Sequence, residues 1–135
     1  MNSEKETNFS ILQREVDEGN CDIINAWKEA RTNSNNAYNE RYAIMNGNRY
    51  TNDLNSRETG KLFSVEVYEK CVKFAECQVT CAKASLALYN DWIKSGRGDP
   101  FDGSSLGYEI RTNIRSTSID LEKWTSKLEE AILAN

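Results

Sequence analysis

Histidine is absent from all 135 residues. That excludes Ser-His-Asp and Cys-His catalysis, His-ligated zinc and a histidine pH switch. There is one proline, Pro100, and only seven glycines, so few turns are signalled. No run approaches the roughly 18 apolar residues of a membrane span. The stretch Met1-Asn2-Ser3-Glu4-Lys5-Glu6 lacks a basic region followed by an apolar one. No secretory signal is read there, and the expected location is the cytoplasm; export by machinery that reads polar N-termini is the alternative. Basic clustering is missing too. The 17 Lys+Arg are interleaved with 21 Asp+Glu, for a net charge of −4. A nucleic-acid or anionic-membrane partner is therefore not expected, while a basic protein partner is electrostatically allowed.

What is present suits one domain with a real core. A compact chain of this size exposes roughly 7,200 Å², so about two-thirds of its surface can be buried without metal or disulfide staples. Hydrophobic residues make up 39% and charged residues 28%. This is the balance of a helical bundle with large solvated faces.

Helical periodicity dominates the chain. Val65, Tyr68, Val72, Ala75, Val79, Ala82, Leu86, Tyr89 and Ile93 recur at alternating spacings of 3 and 4, an a/d seam within a helix at about 60–95. A second row, Val67, Cys71, Phe74, Cys81, Leu88 and Trp92, lies beside it. Together they form an apolar face about 155° wide at ~3.5 residues per turn. A face this wide must touch two neighbours, so this helix is expected at the centre of a bundle. Glu66–Lys70 and Glu69–Lys73 support it on the polar side as i,i+4 pairs.

A second long segment, about 104–133, carries Ile110, Ile114, Thr117, Leu121, Trp124, Leu128 and Ala131 in its seam, with Asp102 or Ser104 available as cap. The N-terminal third reads as two pieces, about 4–18 and 21–45. Ser3-x-x-Glu6 is a capping box, Gly19-Asn20 a break in which Asn20 can cap the next piece, and Asn46-Gly47-Asn48 a stop. Arg31–Asn36 is polar and poor in helix propensity, which predicts an irregular stretch. Asn33 takes an apolar position of the heptad; it either fixes register or is simply exposed on a bent segment. The one ambiguous strand signal is Phe63–Val67.

The predicted fold is all-α: an antiparallel three-helix bundle, or four-helix if the N-terminal piece stands alone, with coiled-coil-like heptad packing in a single domain, 1–135. Pairing residue 45 with 60 and 95 with 104 puts Trp27, Val79 and Trp124 at one height. The predicted core layer is Trp27, Ala75, Val79, Ala82 and Trp124.

Candidate sites are few. Cys21, Cys71, Cys77 and Cys81 read as small buried hydrophobes, against a disulfide or a cysteine-only metal site. Arg97-Gly98-Asp99 matches the integrin-binding tripeptide on an expected exposed loop; the competing reading is a solvated turn using the freedom of Gly98. Asp99, Asp102, Ser104 and Glu109 lack the spacing of a calcium loop. Glu58-Thr59-Gly60-Lys61 lacks the upstream glycine of a phosphate loop. Glu15, Asp17 and Glu18 cluster as a solvated helix end rather than an acid–base pair. No catalytic, cofactor or metal residue is assigned. Leu106, Ile119, Ile132 and Leu133 lie off the main seams; they either cap the bundle ends or need a cover, and with the tripeptide they are the candidate interaction residues.

The expected function is a non-catalytic protein-interaction module: an adaptor, inhibitor, chaperone or assembly subunit working through helical surfaces on a protein partner or a second copy. The alternatives are a secreted or translocated virulence or filament component that polymerises through its heptads, and an enzyme or cysteine–metal protein.

Overall fold

The computed structural model describes residues 7–49, 64–102 and 106–134. These residues form four helices: α1 (Asn8–Glu18), α2 (Asp22–Arg49), α3 (Val65–Lys94) and α4 (Leu106–Ala134). Among the described residues there is no strand; Val65–Val67 form the first turn of α3, capped by Ser64, whose hydroxyl accepts from the Val67 amide. The fold is an all-α bundle, and no helix of the described residues is long and apolar enough to cross a membrane.

The wide apolar face of α3 does what its width requires. It packs α2 along one side and α4 along the other. Both neighbours run antiparallel to it. From Trp27 to Glu40 on α2 the partner on α3 falls from Ser85 to Lys73, through a Tyr38–Phe74 edge contact. On α4, Trp124 meets Tyr68, while Ile110 to Thr117 stand level with the stretch Gln78–Ser85. The α2–α3 pair is fastened outside by Glu40, which takes Lys73 at 2.9 Å and Lys70 at 3.7 Å. The Lys73 hydrogen bond, then the charge of Lys70, hold the Glu40 carboxyl below its ordinary range.

The predicted core layer is corrected. Both indoles avoid solvent, but at different heights. Trp27 is buried, with its Nε1 donating to Ser85 Oγ at 3.1 Å. Trp124 is half-buried beside Tyr68. These α3 positions lie about 26 Å apart along the helix. Val79 and Ala82 are only partly buried. The main cluster is instead Leu12, Ile24, Trp27, Leu88 and Trp92, so α1 contributes to the core through Leu12.

Helix ends show which local signals prevailed. Gly19 ends α1 in the left-handed region, as the break predicts. The Cys21 carbonyl accepts the first α2 amide bond, from Asn25, so Cys21 and not Asn20 precedes that helix. Helix α2 runs unbroken through Arg31–Asn36 and past Asn46-Gly47-Asn48 to Arg49. The irregularity and the stop are both overridden: buried Ala30 and Ala37 anchor the polar stretch against α3, and glycine also accepts right-handed helix at a cost of about 1 kcal/mol. Asn33 is exposed on this continuous helix. Ser3 and Glu6 lie outside the described residues; α1 is capped by Thr7 instead, whose hydroxyl accepts from the Ser10 amide at 3.1 Å. Helix α3 closes in a Schellman motif, Gly96 bonding back to Ile93 and Arg97 to Trp92.

Candidate functional site

Two regions gather the residues that sequence reasoning singled out or missed: the loop after α3 and a groove between α2 and α4.

The loop carries the Arg97-Gly98-Asp99 tripeptide, and it is docked rather than free. Arg97 lies 3.8 Å over the Trp92 ring and forms a two-pronged ion pair with Glu15 of α1. Gly98 has φ 87°, a left-handed conformation that favours glycine, and a Cβ there would meet Asn8 Nδ2 at 3.2 Å. The Asp99 carbonyl accepts from that same Nδ2 at 2.8 Å, and its carboxylate accepts from the Phe101 amide at 2.8 Å. Pro100 is fully buried. Asp102 accepts from the amides of Asn8 and Phe9, so it caps α1 and not the last helix. Arg97 stays exposed and Gly98 and Asp99 are partly buried, so the loop is at the surface while it also staples α1 to the end of α3. The physical reason is the bare amides of an 11-residue helix, which need acceptors that its own sequence supplies only in part. Glu15 is taken up in that staple. Ser104 lies outside the described residues, as does Glu58–Lys61. Glu109 is in α4, but its side chain is not described.

The groove follows from what α2 and α4 do not do. Among the described residues, no Cα of α2 comes within 8 Å of a Cα of α4. In a closed triangle of helices 8–10 Å apart, Cα atoms about 2.3 Å from each axis would come that close. The three long helices thus form a bent layer, open along one side of α3. A cleft of about 310 Å³ opens there. Trp27, Arg31 and Ser34 wall it from α2, Gln78, Cys81, Ala82 and Ser85 form its α3 floor, and Ile110, Asn113 and Thr117 wall it from α4, with Phe101 at one end. Small floor residues keep it deep, and Trp27 and Phe101 make one aromatic end, 5.6 Å between centroids. Arg31 sits 4.6 Å over the Trp27 ring. Further along α2, Tyr38 and Tyr42 stack on each other with exposures of 45% and 60%, which places aromatic surface in solvent.

All four cysteines are free thiols. Cys71 is buried under Arg41 and Cys81 lines the cleft. Burial pushes both thiols up, although Arg41 and Arg31 respectively pull the other way. A raised thiol pKa in the folded chain means stability is whole below the unfolded value near 9 and falls as pH rises above it. Unfolding should accordingly become easier above pH ~9, and the Cys71→Ala variant should show a smaller alkaline loss in urea titrations at pH 8 and 10. A thiol reagent at neutral pH should leave Cys71 unmodified until the chain is denatured.

The remaining candidates do not converge. Ile119, Ile132 and Leu133 are exposed at 57%, 55% and 86%, but Ile119 is about 20 Å along α4 from Ile132, with Glu122, Ser126 and Glu130 between. Leu106 begins α4; its side chain is not among those described. Among the described residues no three His, Cys, Asp or Glu side chains are grouped to hold a metal. Sequence reasoning missed Arg31, Ser34, Gln78, Ser85 and Asn113. One signal was available: Gln78 and Ser85 are polar residues seven apart on the wide apolar face of α3.

No protein-family model, no curated protein and no solved structure matches this chain.

Proposed function

We propose that this chain is a non-catalytic interaction module of the cytoplasm, an adaptor, inhibitor, chaperone or assembly subunit, that binds a protein partner in the groove between α2 and α4. The observation that carries this reading is the open side of α3: two helices pack on it without meeting, and the cleft between them is largely apolar. A helix laid there would contact α2, α3 and α4 together and complete a four-helix, coiled-coil-like arrangement. The exposed Tyr38–Tyr42 pair adds aromatic area of the kind enriched at interfaces.

Affinity purification with the wild type and with Gln78→Trp tests it. Gln78 is on the groove floor, and an indole there fills the cleft. Ser34→Trp blocks from the α2 wall and guards against a folding defect in the first variant. One or more proteins should be retained by the wild type and depleted with both variants. Identical retention by all three baits would overturn the reading.

A further inference from the structure

The charge along the groove narrows the partner. In a chain of net charge −4, Lys70, Lys73, Arg97 and Lys127 have carboxylate partners, whereas among the described residues Arg31, Arg41 and Lys123, like Lys28, Lys83, Lys94 and Arg115, have none; what sets the first three apart is that they lie on aromatic rings beside α3. Each of the three is laid on a ring: Arg31 on Trp27 at 4.6 Å, Arg41 on Phe74 at 4.9 Å, Lys123 on Trp124 at 4.9 Å. Cations held on rings lose little further freedom when they form ion pairs. Arg31 is the one charged residue in the cleft lining among the described residues. Arg41 of α2 covers Phe74 of α3, and Lys123 of α4 covers Trp124, which packs on Tyr68 of α3, so the two cations stand beside α3 from its two neighbours, beyond the cleft. Arg31 and Arg41 are ten residues apart, about 15 Å along α2.

We infer that the groove receives an amphipathic helix of another protein, with its apolar side in the cleft and carboxylates on its flanks. This rests on the interaction reading above. The carboxylates would stand about 15 Å apart, close to three helical turns, to meet Arg31 at one end and Arg41 with Lys123 at the other. A basic helix of the same shape would bring like charges onto all three cations, which disfavours it.

The test uses two fluorescent helical peptides of about 20 residues with the same leucine stripe, one flanked by glutamate and one by lysine. Anisotropy titrations should show the Leu/Glu peptide binding at least about tenfold tighter than the Leu/Lys peptide, and weakening at high salt. The double variant Arg31→Glu, Lys123→Glu changes two exposed side chains. It should weaken the first peptide by about tenfold and strengthen the second. Equal binding of the two peptides, or no saturable binding of the Leu/Glu peptide, would overturn the inference. So would a dimer in sedimentation velocity that Gln78→Trp abolishes, which would give the groove to a second copy. A native partner lost with Gln78→Trp but kept by the charge-reversed variant would sink the acidic class while leaving the interaction reading intact.

Discussion

Replacing Trp92 by alanine should lower the unfolding free energy by about 3–5 kcal/mol, the range for deleting a fully buried aromatic side chain. Trp92 is 1% exposed and belongs to the cluster of Leu12, Ile24, Trp27 and Leu88, which joins three helices. Its other face carries the Arg97 guanidinium at 3.8 Å. The substitution thus leaves a cavity under α1 and removes the surface on which the loop after α3 rests. Urea unfolding followed by circular dichroism would measure the loss. Trp124→Ala should cost clearly less, because that indole is only half-buried, against Tyr68. Equal costs at the two sites would contradict the assignment of the core to the Trp92 end of the bundle.

Asp102→Ala should cost about 2–3 kcal/mol, most of it at α1. The first three helical amides have no partner within the helix and all are met from outside its ladder: Asn8 and Phe9 donate to the Asp102 carboxylate and Ser10 to the Thr7 hydroxyl, while Ile11 makes the first i→i−4 bond, to the Thr7 carbonyl. Losing a cap costs about 0.5–2 kcal/mol, and here two charge-assisted bonds go at once. Asp102 also has φ 58°, a conformation that aspartate tolerates and alanine does not, adding about 1 kcal/mol. Asp102→Gly separates the two causes, since it removes the cap without the strain. Hydrogen exchange should show the Asn8 and Phe9 amides losing protection in both variants. An eleven-residue helix is too short to persist unaided, so α1 should loosen as a unit. Unchanged exchange there would mean that Leu12, the Arg97–Glu15 pair and the Asn8–Asp99 bond hold α1 in place without the Asp102 cap.

The helices themselves were legible because periodicity is local. The seam from Val65 to Ile93 located α3, and the width of its apolar face required two neighbours, which it has. Gly19 and Gly96 stop helices where residues that tolerate the left-handed region appear in sequence. The groove was less legible. Gln78 and Ser85 interrupt the apolar face of α3, but a polar residue in an apolar row can equally be satisfied inside a core. Asp102 reads as a helix cap, but not of which helix, since the amides it accepts from are more than ninety residues away.

The sequence alone determined that this chain is helical, which helix is central and that its apolar face is broad; burial on that face centres on Val67, Cys71, Leu88 and Trp92 and leaves Ile93 of the a/d seam exposed. Only the tertiary structure decided the level at which the helices meet. Pairing 45 with 60 sets Trp27 opposite residue 78, yet it bonds Ser85; pairing 95 with 104 sets Trp124 opposite residue 75, yet it meets Tyr68. Each displacement is seven residues, one heptad. A seven-residue repeat presents the same face after every such slip, so periodicity fixes orientation and leaves register open. Register is then chosen by contacts remote in sequence: Leu12 under Trp92, Asp102 on α1, Arg97 on Glu15. The same is true of the gap between α2 and α4, which no single helix encodes.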